Sequence, residues 1–465
     1  MAHLVLIPYG LTSGLNTSLE FANRLRRAGH SITIVSHTDI GPDVAEHGHE
    51  FVRVVDDERA RQSHLSERKN PTRRIADMRR VRRDSITTDE FERVVGSLDP
   101  DLLLIDIEMH YAAIATASLG IPTMLMMNWF SIYRSPGIPP HDSELVPSDD
   151  PSFSADVERA WRRVRFEAYV ASLRHKLGRR GVGDLLRPVS YGTNYLADLK
   201  QVAQSRGYRL DENTDRKQWL RPYMYTRLPI LSFTAQEMDF PHEVHPNLRY
   251  AGPMIPTTRP ERRFDDNVRR QWQQLVETRD QRGSDRPLVY CSLGSYWSDQ
   301  RFLSTVVDTF RRRSEWDLVL GLGQQATSQD LPRFPSNVLP LAWAPQLEVL
   351  RVADCAITHG GSSSVHECVA SEVPVAVYPP RLLDQGGIAA RVAYHGLGVM
   401  GSWNGGRPEG LEGHIARLLD DREIRANLHT MRQVFDDYRD NDVAVKLVER
   451  HLAPGGAARG GEGRR

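Results

Sequence analysis

The chain has 465 residues, a mass of 52.8 kDa and no formal net charge, because 60 Lys and Arg balance 60 Asp and Glu. This length favours two domains, and the neutral balance argues against a protein whose main task is to bind nucleic acid. The three cysteines lie in or beside apolar runs without metal-ligand spacing, which predicts reduced, buried thiols. No apolar run has the length of a membrane span or the flanks of a signal peptide, so we expect a cytoplasmic protein without integral membrane association.

The first residues predict the opening of a doubly wound parallel sheet. HLVLIPYG is typical of a buried strand, and LTSGLNTS of a small-residue loop. LEFANRLRRAGH has apolar residues at helical spacing before a glycine stop, and SITIVSH predicts a second strand. Ligands of such sheets gather at the carboxyl ends of strands, so the loop from Pro8 to Ser18 is predicted to be a wall of the active cleft.

A polar turn follows the next buried strand, LLLI, and carries Asp106, Glu108 and His110. Three ionisable groups at the carboxyl end of a strand favour a functional site. The alternative is that Asp106 caps the following helix and His110 faces the core. The strand after that helix is rich in large apolar side chains, which predict either plain core or an adaptable acceptor pocket: Met124, Met126, Met127, Trp129 and Phe130.

Three segments depart from this alternation. The arginine-rich stretch 56–83 predicts a solvated face or loop, with a basic lip for an anionic acceptor as the alternative. Residues 134–160 predict a loop that leads into amphipathic helices from about 157 to 187, where an acceptor pocket could be built. The segment 256–286 begins with proline and is then strongly charged, and we interpret it as an interdomain linker.

The second half restarts the strand and helix alternation with RPLVYCSLGSYW and predicts another parallel sheet. Within it, the strand CAIT runs directly into HGGSSS and a helical pattern. Glycines at a strand end let the backbone approach a ligand, and the serines stand where a helix N-terminus offers free N–H groups to an anion. Residues 409–452 are predicted to be mostly helical, and the tail 453–465 disordered.

Four pieces of this half occur in order and at close spacing: Trp343-Ala-Pro-Gln346, His359-Gly-Gly361, Glu367 and Asp384-Gln385. Together they resemble the signature of the inverting, metal-independent UDP-glycosyltransferases of plant secondary products and bacterial antibiotics. The resemblance implies the α/β GT-B fold, two facing Rossmann-like doubly wound parallel-sheet domains with a C-terminal helical region. The acceptor domain is then 1–255, the linker 256–286, the donor domain 287–452 and the tail 453–465.

The resemblance also implies a role for each residue of the donor site. Trp343 would stack on uracil, and Gln346 and Glu367 would bind the ribose hydroxyls. Asp384 and Gln385 would bind the hydroxyls of the sugar. The diphosphate would be held by a further set: Ser295, His359, Gly361, Ser363 and Ser364. Donors at a helix N-terminus can stabilise the leaving diphosphate, so we expect no metal and no organic cofactor.

One position departs from the family pattern. Family members carry a histidine base after the first strand, and Gly14 occupies that position here. We therefore hypothesise that Asp106, Glu108 or His110 accepts the proton of the acceptor hydroxyl, with His37 as a weaker candidate. The alternatives are an acceptor acidic enough to need little base, or a partner protein that completes the site.

The sequence thus predicts a hexosyltransferase that moves a sugar, glucose by the Asp384-Gln385 pair, from a UDP-sugar to a small hydrophobic natural product. A homodimer or an auxiliary protein is left open as a partner. Two other functions remain: a nucleotide-sugar-binding auxiliary protein for another transferase, and an NAD-dependent oxidoreductase. The second lacks the G-x-G-x-x-G turn after the first strand.

Overall fold

The computed structural model describes residues 1–10, 12–54, 88–178, 193–215, 223–257, 266–282, 286–292, 300–323, 331–380, 384–404 and 407–453. The arginine-rich stretch 56–83, Ser295 and all but the first residue of the predicted tail 453–465 lie outside these residues.

The N-terminal domain is built on a parallel sheet with the order β3-β2-β1-β4-β5-β8-β9. Its strands are β1 (His3–Ile7), β2 (Ser31–Ser36), β3 (Glu50–Arg53), β4 (Leu102–Asp106), β5 (Thr123–Met127), β8 (Ile230–Ser232) and β9 (Leu248–Tyr250). A separate two-stranded antiparallel sheet consists of β6 (Thr214–Asp215) and β7 (Met224–Tyr225).

Helices cover both faces of this sheet, as the βαβ alternation predicts. They are α1 (Thr12–Arg27), α2 (Gly41–Glu46), α3 (Thr88–Leu98), α4 (His110–Thr116), α5 (Phe153–Gly178), α6 (Thr193–Ser205) and α7 (Leu210–Asn213). One core cluster, with Val5 and Leu103, lies on one face, and a second, with Leu4 and Leu104, lies on the other. Alternate residues of β1 and β4 therefore enter opposite cores.

The C-terminal domain has a second parallel sheet with the order β12-β11-β10-β13-β14-β15. Its strands are β10 (Leu288–Ser292), β11 (Asp317–Gly321), β12 (Val338–Leu341), β13 (Cys355–Thr358), β14 (Val375–Val377) and β15 (Gly398–Met400), beside a hairpin of β16 (Trp403–Asn404) and β17 (Arg407–Pro408). Its helices are α8 (Asp266–Arg282), α9 (Gln300–Arg312), α10 (Gln346–Leu350), α11 (Ser362–Ala370), α12 (Gln385–Tyr394), α13 (Leu411–Asp420), α14 (Arg422–Asp440) and α15 (Val443–Leu452).

Both sheets reverse their winding direction once, and these points locate the ligand sites. The order changes between β1 and β4 in the first sheet and between β10 and β13 in the second. Open parallel sheets bind ligands outside the carboxyl ends of the strands at such points. The segments after Ile7, Asp106, Ser292 and Thr358 are therefore the ones that line the two candidate half-sites.

Three expectations need correction. The stretch predicted as a small-residue loop is helical from Thr12, and the hydroxyls of Thr17 and Ser18 donate to the Gly14 carbonyl at 2.8 and 3.0 Å. Ser and Thr can lie in a helix when their hydroxyls donate to a carbonyl one turn earlier. The prediction of a loop from small polar residues was therefore wrong here. The predicted linker contains α8, whose Val268 and Trp272 are buried in the C-terminal core.

The third correction concerns α15, which the predicted boundaries assign to the donor domain. Its buried residues Ala444, Val445 and Val448 belong to the N-terminal core cluster instead. His30 of the first domain lies 3.7 Å from the Glu449 carboxylate on this helix. The chain therefore returns to the first domain with α15, its last described helix.

Two predictions on composition can also be compared with the structure. Cys291, Cys355 and Cys368 are free and buried, as predicted, and burial raises the pKa of each thiol. Among the described residues, no helix combines the length and the apolar character that crossing a membrane requires.

Candidate functional site

The turn after β13 brings two loops of the C-terminal domain close together. Gly360 has a φ of +91°, and a Cβ there would lie 2.8 Å from Val377 Cγ1 and 3.1 Å from the Gln385 carbonyl oxygen. Only glycine fits this conformation and this space. The structure explains this glycine by its contact with the start of α12, whereas the predicted approach of a ligand to the backbone stays a prediction.

His359 lies under the N-terminus of α11. A Cβ on Gly361, the N-cap residue of that helix, would be 3.2 Å from both Cε1 and Nε2 of the imidazole. Burial lowers the pKa of His359 to about 4, although the Ser292 backbone raises it slightly. The ring is therefore neutral at pH 7 and can donate one N–H, and its Nδ1 has no hydrogen-bond partner among the described residues.

The predicted ribose-binding residues are in direct contact. The Gln346 amide donates to Glu367 Oε2 at 2.5 Å and to Ser364 Oγ at 3.4 Å, and its oxygen accepts from the Tyr290 hydroxyl at 3.1 Å. Glu367 is only 2% exposed. This network holds the amide at the start of α10 against a carboxylate in the second turn of α11, where a diol could take the place of the contact between them.

The remaining donor-site residues flank this network. Trp343 is half-buried in the turn between β12 and α10, three residues before Gln346. Gly361 and Ser363 are half-buried at the N-terminus of α11, where helix N–H groups lack intrahelical partners. The residues predicted to bind the base, the ribose and the diphosphate therefore follow one another along one edge of the sheet.

Asp384 and Gln385 lie at the start of α12. Asp384 occupies the N-cap position, but its side chain makes no capping hydrogen bond. Burial, together with the smaller effects of the Glu108 and Asp142 charges, raises its pKa to about 7. Both of those carboxylates come from the N-terminal domain, so the start of α12 faces that domain across the cleft. The side-chain Oε1 of Gln385 is buried and lacks a hydrogen-bond partner within the described residues.

On the opposite side, Asp106 and Glu108 form one unit at the end of β4. The Glu108 N–H donates to Asp106 Oδ1 at 2.9 Å. Burial raises the pKa of Asp106 to about 7, the Glu108 charge adds to this, and the backbone N–H groups of Glu108 and Tyr9 oppose it. Asp106 is not the N-cap of α4, because Met109 occupies that position.

Glu108 is the more accessible of the two carboxylates. Its Oε1 accepts a hydrogen bond from the Tyr223 hydroxyl at 2.7 Å. His110, in contrast, is 1% exposed, and its Nδ1 lies 2.9 Å from the Tyr225 hydroxyl. The structure therefore brings Asp106 and Glu108 together at the cleft and turns His110 towards the interior.

Gly14 lies in the first turn of α1, a helix that contacts α11 across the interface. Among the described residues, a Cβ at this position would lie within 4 Å of the Asn128 Nδ2 alone, at 3.7 Å. Asn128 is half-buried, and its Oδ1 has no hydrogen-bond partner among the described residues. His37, the weaker base candidate, is exposed at the end of β2, with its ring 6.5 Å from that of Phe91.

The methionines after β4 do not line a pocket. Met124, Met126 and Met127 are no more than 2% exposed and belong to the two cores of the N-terminal sheet. Trp129 is half-buried, and its ring contacts those of His141 and Tyr223 at 5.5 and 4.9 Å between centroids. The core interpretation was therefore right for the methionines, and Trp129 lies beside the residue that holds Glu108.

Sequence reasoning missed Tyr223, Asp142 and Asn128. None belongs to a recognisable motif, and each meets its neighbours only through the tertiary fold. Of the three, Asp142 alone could have been identified from the sequence, because it is a charged residue in the proline-rich loop predicted to build an acceptor pocket.

Comparisons with known proteins agree with this architecture. Residues 312–449 match the family described as "Erythromycin biosynthesis protein CIII-like, C-terminal domain". The chain is 34% identical over 170 residues to demethyllactenocin mycarosyltransferase of Streptomyces fradiae, and this alignment covers 36% of each protein. It is 30% identical over 166 residues to oleandomycin glycosyltransferase of Streptomyces antibioticus, which covers 36% of this chain and 38% of that protein. The matches thus span less than two fifths of these relatives.

Solved structures match over nearly the whole chain. The glycosyltransferase of kitacinnamycin superposes with a TM-score of 0.64 at 20% identity and covers 97% of this chain and 99% of that one. The calicheamicin glycosyltransferase CalG4 gives a TM-score of 0.61 at 18% identity, with coverage of 98% and 100%. The protein therefore has the predicted GT-B fold, and the predicted resemblance to antibiotic glycosyltransferases is confirmed.

Proposed function

We propose that this protein is an inverting glycosyltransferase that moves a hexose from a nucleotide diphosphate to a small, largely apolar natural product. The observation that carries the proposal is the placement of two half-sites across one cleft. The proposed donor-binding residues follow strand ends of one domain, and the charge of Glu108, which is joined to Asp106 in the other domain, raises the pKa of Asp384. A donor sugar bound at Asp384 would thus have a proton acceptor beside it.

The donor half binds the nucleotide without a metal ion in this proposal. Trp343 stacks on the base, and Glu367 accepts hydrogen bonds from the ribose hydroxyls while Gln346 holds it in place. The neutral imidazole of His359 and the N-terminal N–H groups of α11 donate to the diphosphate. These donors stabilise the charge that develops on the diphosphate as it leaves.

The acceptor half supplies the base. The acceptor oxygen attacks the anomeric carbon, the bond to the diphosphate breaks with its electron pair on the phosphate oxygen, and the configuration inverts. Glu108 takes the hydroxyl proton, since it is accessible and is oriented by Tyr223. Asp106 accepts the Glu108 N–H from behind and so fixes the turn that carries this carboxylate.

The finer donor identity is UDP-glucose in this proposal. Trp343 with Gln346 favours a uracil base, and Asp384 with Gln385 fits the hydroxyls of glucose, both by family resemblance. Two similar proteins favour another donor, since one is a mycarosyltransferase and the other, the glycosyltransferase VinC, has a structure in complex with DTDP. A TDP-linked deoxyhexose is therefore the second candidate for the same site.

Two experiments test the proposal. The purified chain is titrated by calorimetry with UDP, TDP, UDP-glucose and a TDP-deoxyhexose. Each donor is then incubated with an acceptor library and the products are analysed by mass spectrometry. We expect binding of one nucleotide series and a product heavier by one sugar, with an anomeric configuration opposite to that of the donor by NMR. Nucleotide-sugar binding without transfer to any acceptor would indicate an auxiliary protein. Tight NADH binding without nucleotide-sugar binding would indicate an oxidoreductase.

A further inference from the structure

A fully buried ion pair joins the two domains at the C-terminal end of α12. The Arg391 Nη2 lies 2.6 Å from Asp239 Oδ1, its Nε donates to the same oxygen at 2.7 Å, and both side chains are 0% exposed. Asp239 belongs to the N-terminal domain, and Arg391 stands in the last turn of α12. A buried charge is tolerated only when it is paired and hydrogen-bonded, so the pair requires the two domains to stay in contact here.

Further contacts fix both partners in one geometry. The guanidinium is sandwiched between the rings of Phe130 and Phe240, at 4.3 and 4.2 Å from their centroids. Asp239 also accepts hydrogen bonds from the Ser131 N–H and the Tyr250 hydroxyl. Burial raises the pKa of Asp239, but Arg391 and these donors outweigh it and hold the pKa below its ordinary value. The carboxylate is therefore charged and its orientation fixed.

The N-terminal end of α12 is held against the same domain. A Cβ on Gly387 would lie 1.7 Å from the His141 carbonyl oxygen, and one on Gly386 would lie 2.8 Å from the Asp142 carbonyl oxygen. Arg391 Nη1 donates to the Gly387 carbonyl at 2.9 Å, which connects this contact to the ion pair. The N-terminal domain therefore touches α12 both at its first turn and at its last.

These contacts lie on one face of the helix. Asp384, Gly387, Arg391 and Tyr394 follow one another at intervals of three or four residues, which places them on one side of an α-helix. The Tyr394 ring meets that of Phe240 edge to face, with 5.2 Å between centroids. The face that begins with Asp384 is thus the face packed on the acceptor domain.

We propose that Arg391 and Asp239 are positioning residues for the donor sugar, because they hold α12 on the acceptor domain so that Asp384 and Gln385 meet the sugar beside Glu108. The inference rests on the proposed function. It assigns sugar selectivity to the interface between the domains, whereas nucleotide affinity is set by α10 and α11 of the donor domain alone. A small displacement of α12 would weaken sugar recognition and leave the nucleotide site intact.

The test compares Arg391→Met with the double variant Arg391→Met and Asp239→Asn. The single variant leaves a buried carboxylate without its cation and is expected to be less stable. The double variant removes that charge while the Asn amide oxygen still accepts from Ser131 and Tyr250, so we expect it to stay folded at the cost of the hydrogen bond from the Phe240 N–H. Arg279→Met is the matched control, because it removes a partly buried ion pair with Asp317, at 3.1 Å, within the donor domain.

Two ratios are measured for each variant: the Kd of the nucleoside diphosphate over the Kd of the nucleotide sugar, and kcat/KM for the preferred donor over that for its C4 epimer. In the double variant we expect both ratios to fall by roughly tenfold or more, with the Kd of the diphosphate unchanged within about twofold. Wild-type ratios in the folded double variant would overturn the inference. Equal losses in the Arg279→Met control would also overturn it, since they would trace the effect to stability. If the wild-type chain binds no nucleoside diphosphate, the proposed function itself fails.

Discussion

The donor-binding and acceptor-facing halves of the cleft are assembled in different ways. The proposed donor residues that the structure describes lie within 43 consecutive positions, from Trp343 to Gln385, and all but Glu367 follow a strand or begin a helix. The acceptor half combines Glu108 with Tyr223, which lies 115 residues later, and with a loop near Asp142. A nucleotide site can thus be encoded locally, whereas the site of proton transfer depends on long-range packing.

The two halves also differ in charge. The donor half offers a neutral imidazole and the N-terminus of α11, which suit a diphosphate. The acceptor half offers carboxylates, one of which has its pKa raised to about 7 by burial. This division fits a reaction in which negative charge develops on one side of the anomeric carbon and a proton departs on the other. The predictions below test that division.

Glu108→Gln is expected to have the largest effect. It keeps the size and the contact with Tyr223 but removes the proton acceptor, so kcat should fall by roughly 10²–10⁴-fold while the Kd of the nucleoside diphosphate stays unchanged. Steady-state kinetics and calorimetry measure the two quantities. His110→Asn is the comparison: if it abolishes turnover while Glu108→Gln keeps it, the base lies in the interior and the assignment is wrong.

The sequence predicted the sheets better than the acceptor site. Local apolar runs predicted the strands. The motif from Trp343 to Gln385 predicted that Gln346 and Glu367 bind the same ribose, and the structure places their side chains in contact. Arg391 carried no signal, because a basic residue in the last turn of a helix ordinarily faces solvent and favours the helix dipole. Its partner Asp239 lies 152 positions away, and only the folded chain shows that they meet.

The domain boundaries failed for a related reason. The helix α8 packs on the donor core through the buried Val268 and Trp272 and the partly buried Leu275 and Val276, although its other residues are polar or charged. A search for long apolar runs overlooks such a sparse stripe. Likewise, no local pattern indicates which of two domains a C-terminal amphipathic helix such as α15 will cover.

Stability against pH distinguishes Asp106 from an ordinary surface carboxylate. Its folded pKa of about 7 is raised above the ordinary 3.8, so its contribution to stability is full below about pH 4 and is lost as the pH rises through 7. The contribution of Asp106 to the free energy of unfolding should therefore fall between pH 4 and 7, by at most about 1.4 kcal/mol per pH unit, while buried histidines such as His359 contribute with the opposite sign. Asp106→Asn should reduce this slope in urea denaturation. An unchanged slope would place the titration elsewhere, with Asp384 as the next group to replace.

Glu367→Ala tests the donor half. The variant lacks the charged acceptor for the ribose hydroxyls, and hydrogen bonds to a charged group contribute about 1.5–3 kcal/mol. We therefore expect nucleoside diphosphate binding to weaken by roughly 10- to 100-fold. The substitution also leaves the Gln346 amide without its partner. Calorimetry with the diphosphate alone measures this. Glu372→Ala, just after the same helix, is the control, since that carboxylate pairs with Arg432 and His429 at the surface. Equal affinities in the two variants would remove Glu367 from the nucleotide site.

Gly14→Ala should have the smallest effect, and it tests whether the position that holds a histidine in the family still contributes here. Gly14 lies in the first turn of α1 without a positive φ, and within the described part of the chain an added methyl group would meet Asn128 alone, at an ordinary contact distance. Alanine should stabilise the protein by about 0.4–1 kcal/mol, because it restricts the unfolded chain, and kcat should stay within about twofold. Denaturant titration and steady-state kinetics measure both. A large loss of kcat would mean that the acceptor or a water molecule occupies the space beside Gly14, and the base would then have to be sought at that point of the cleft instead of at Glu108.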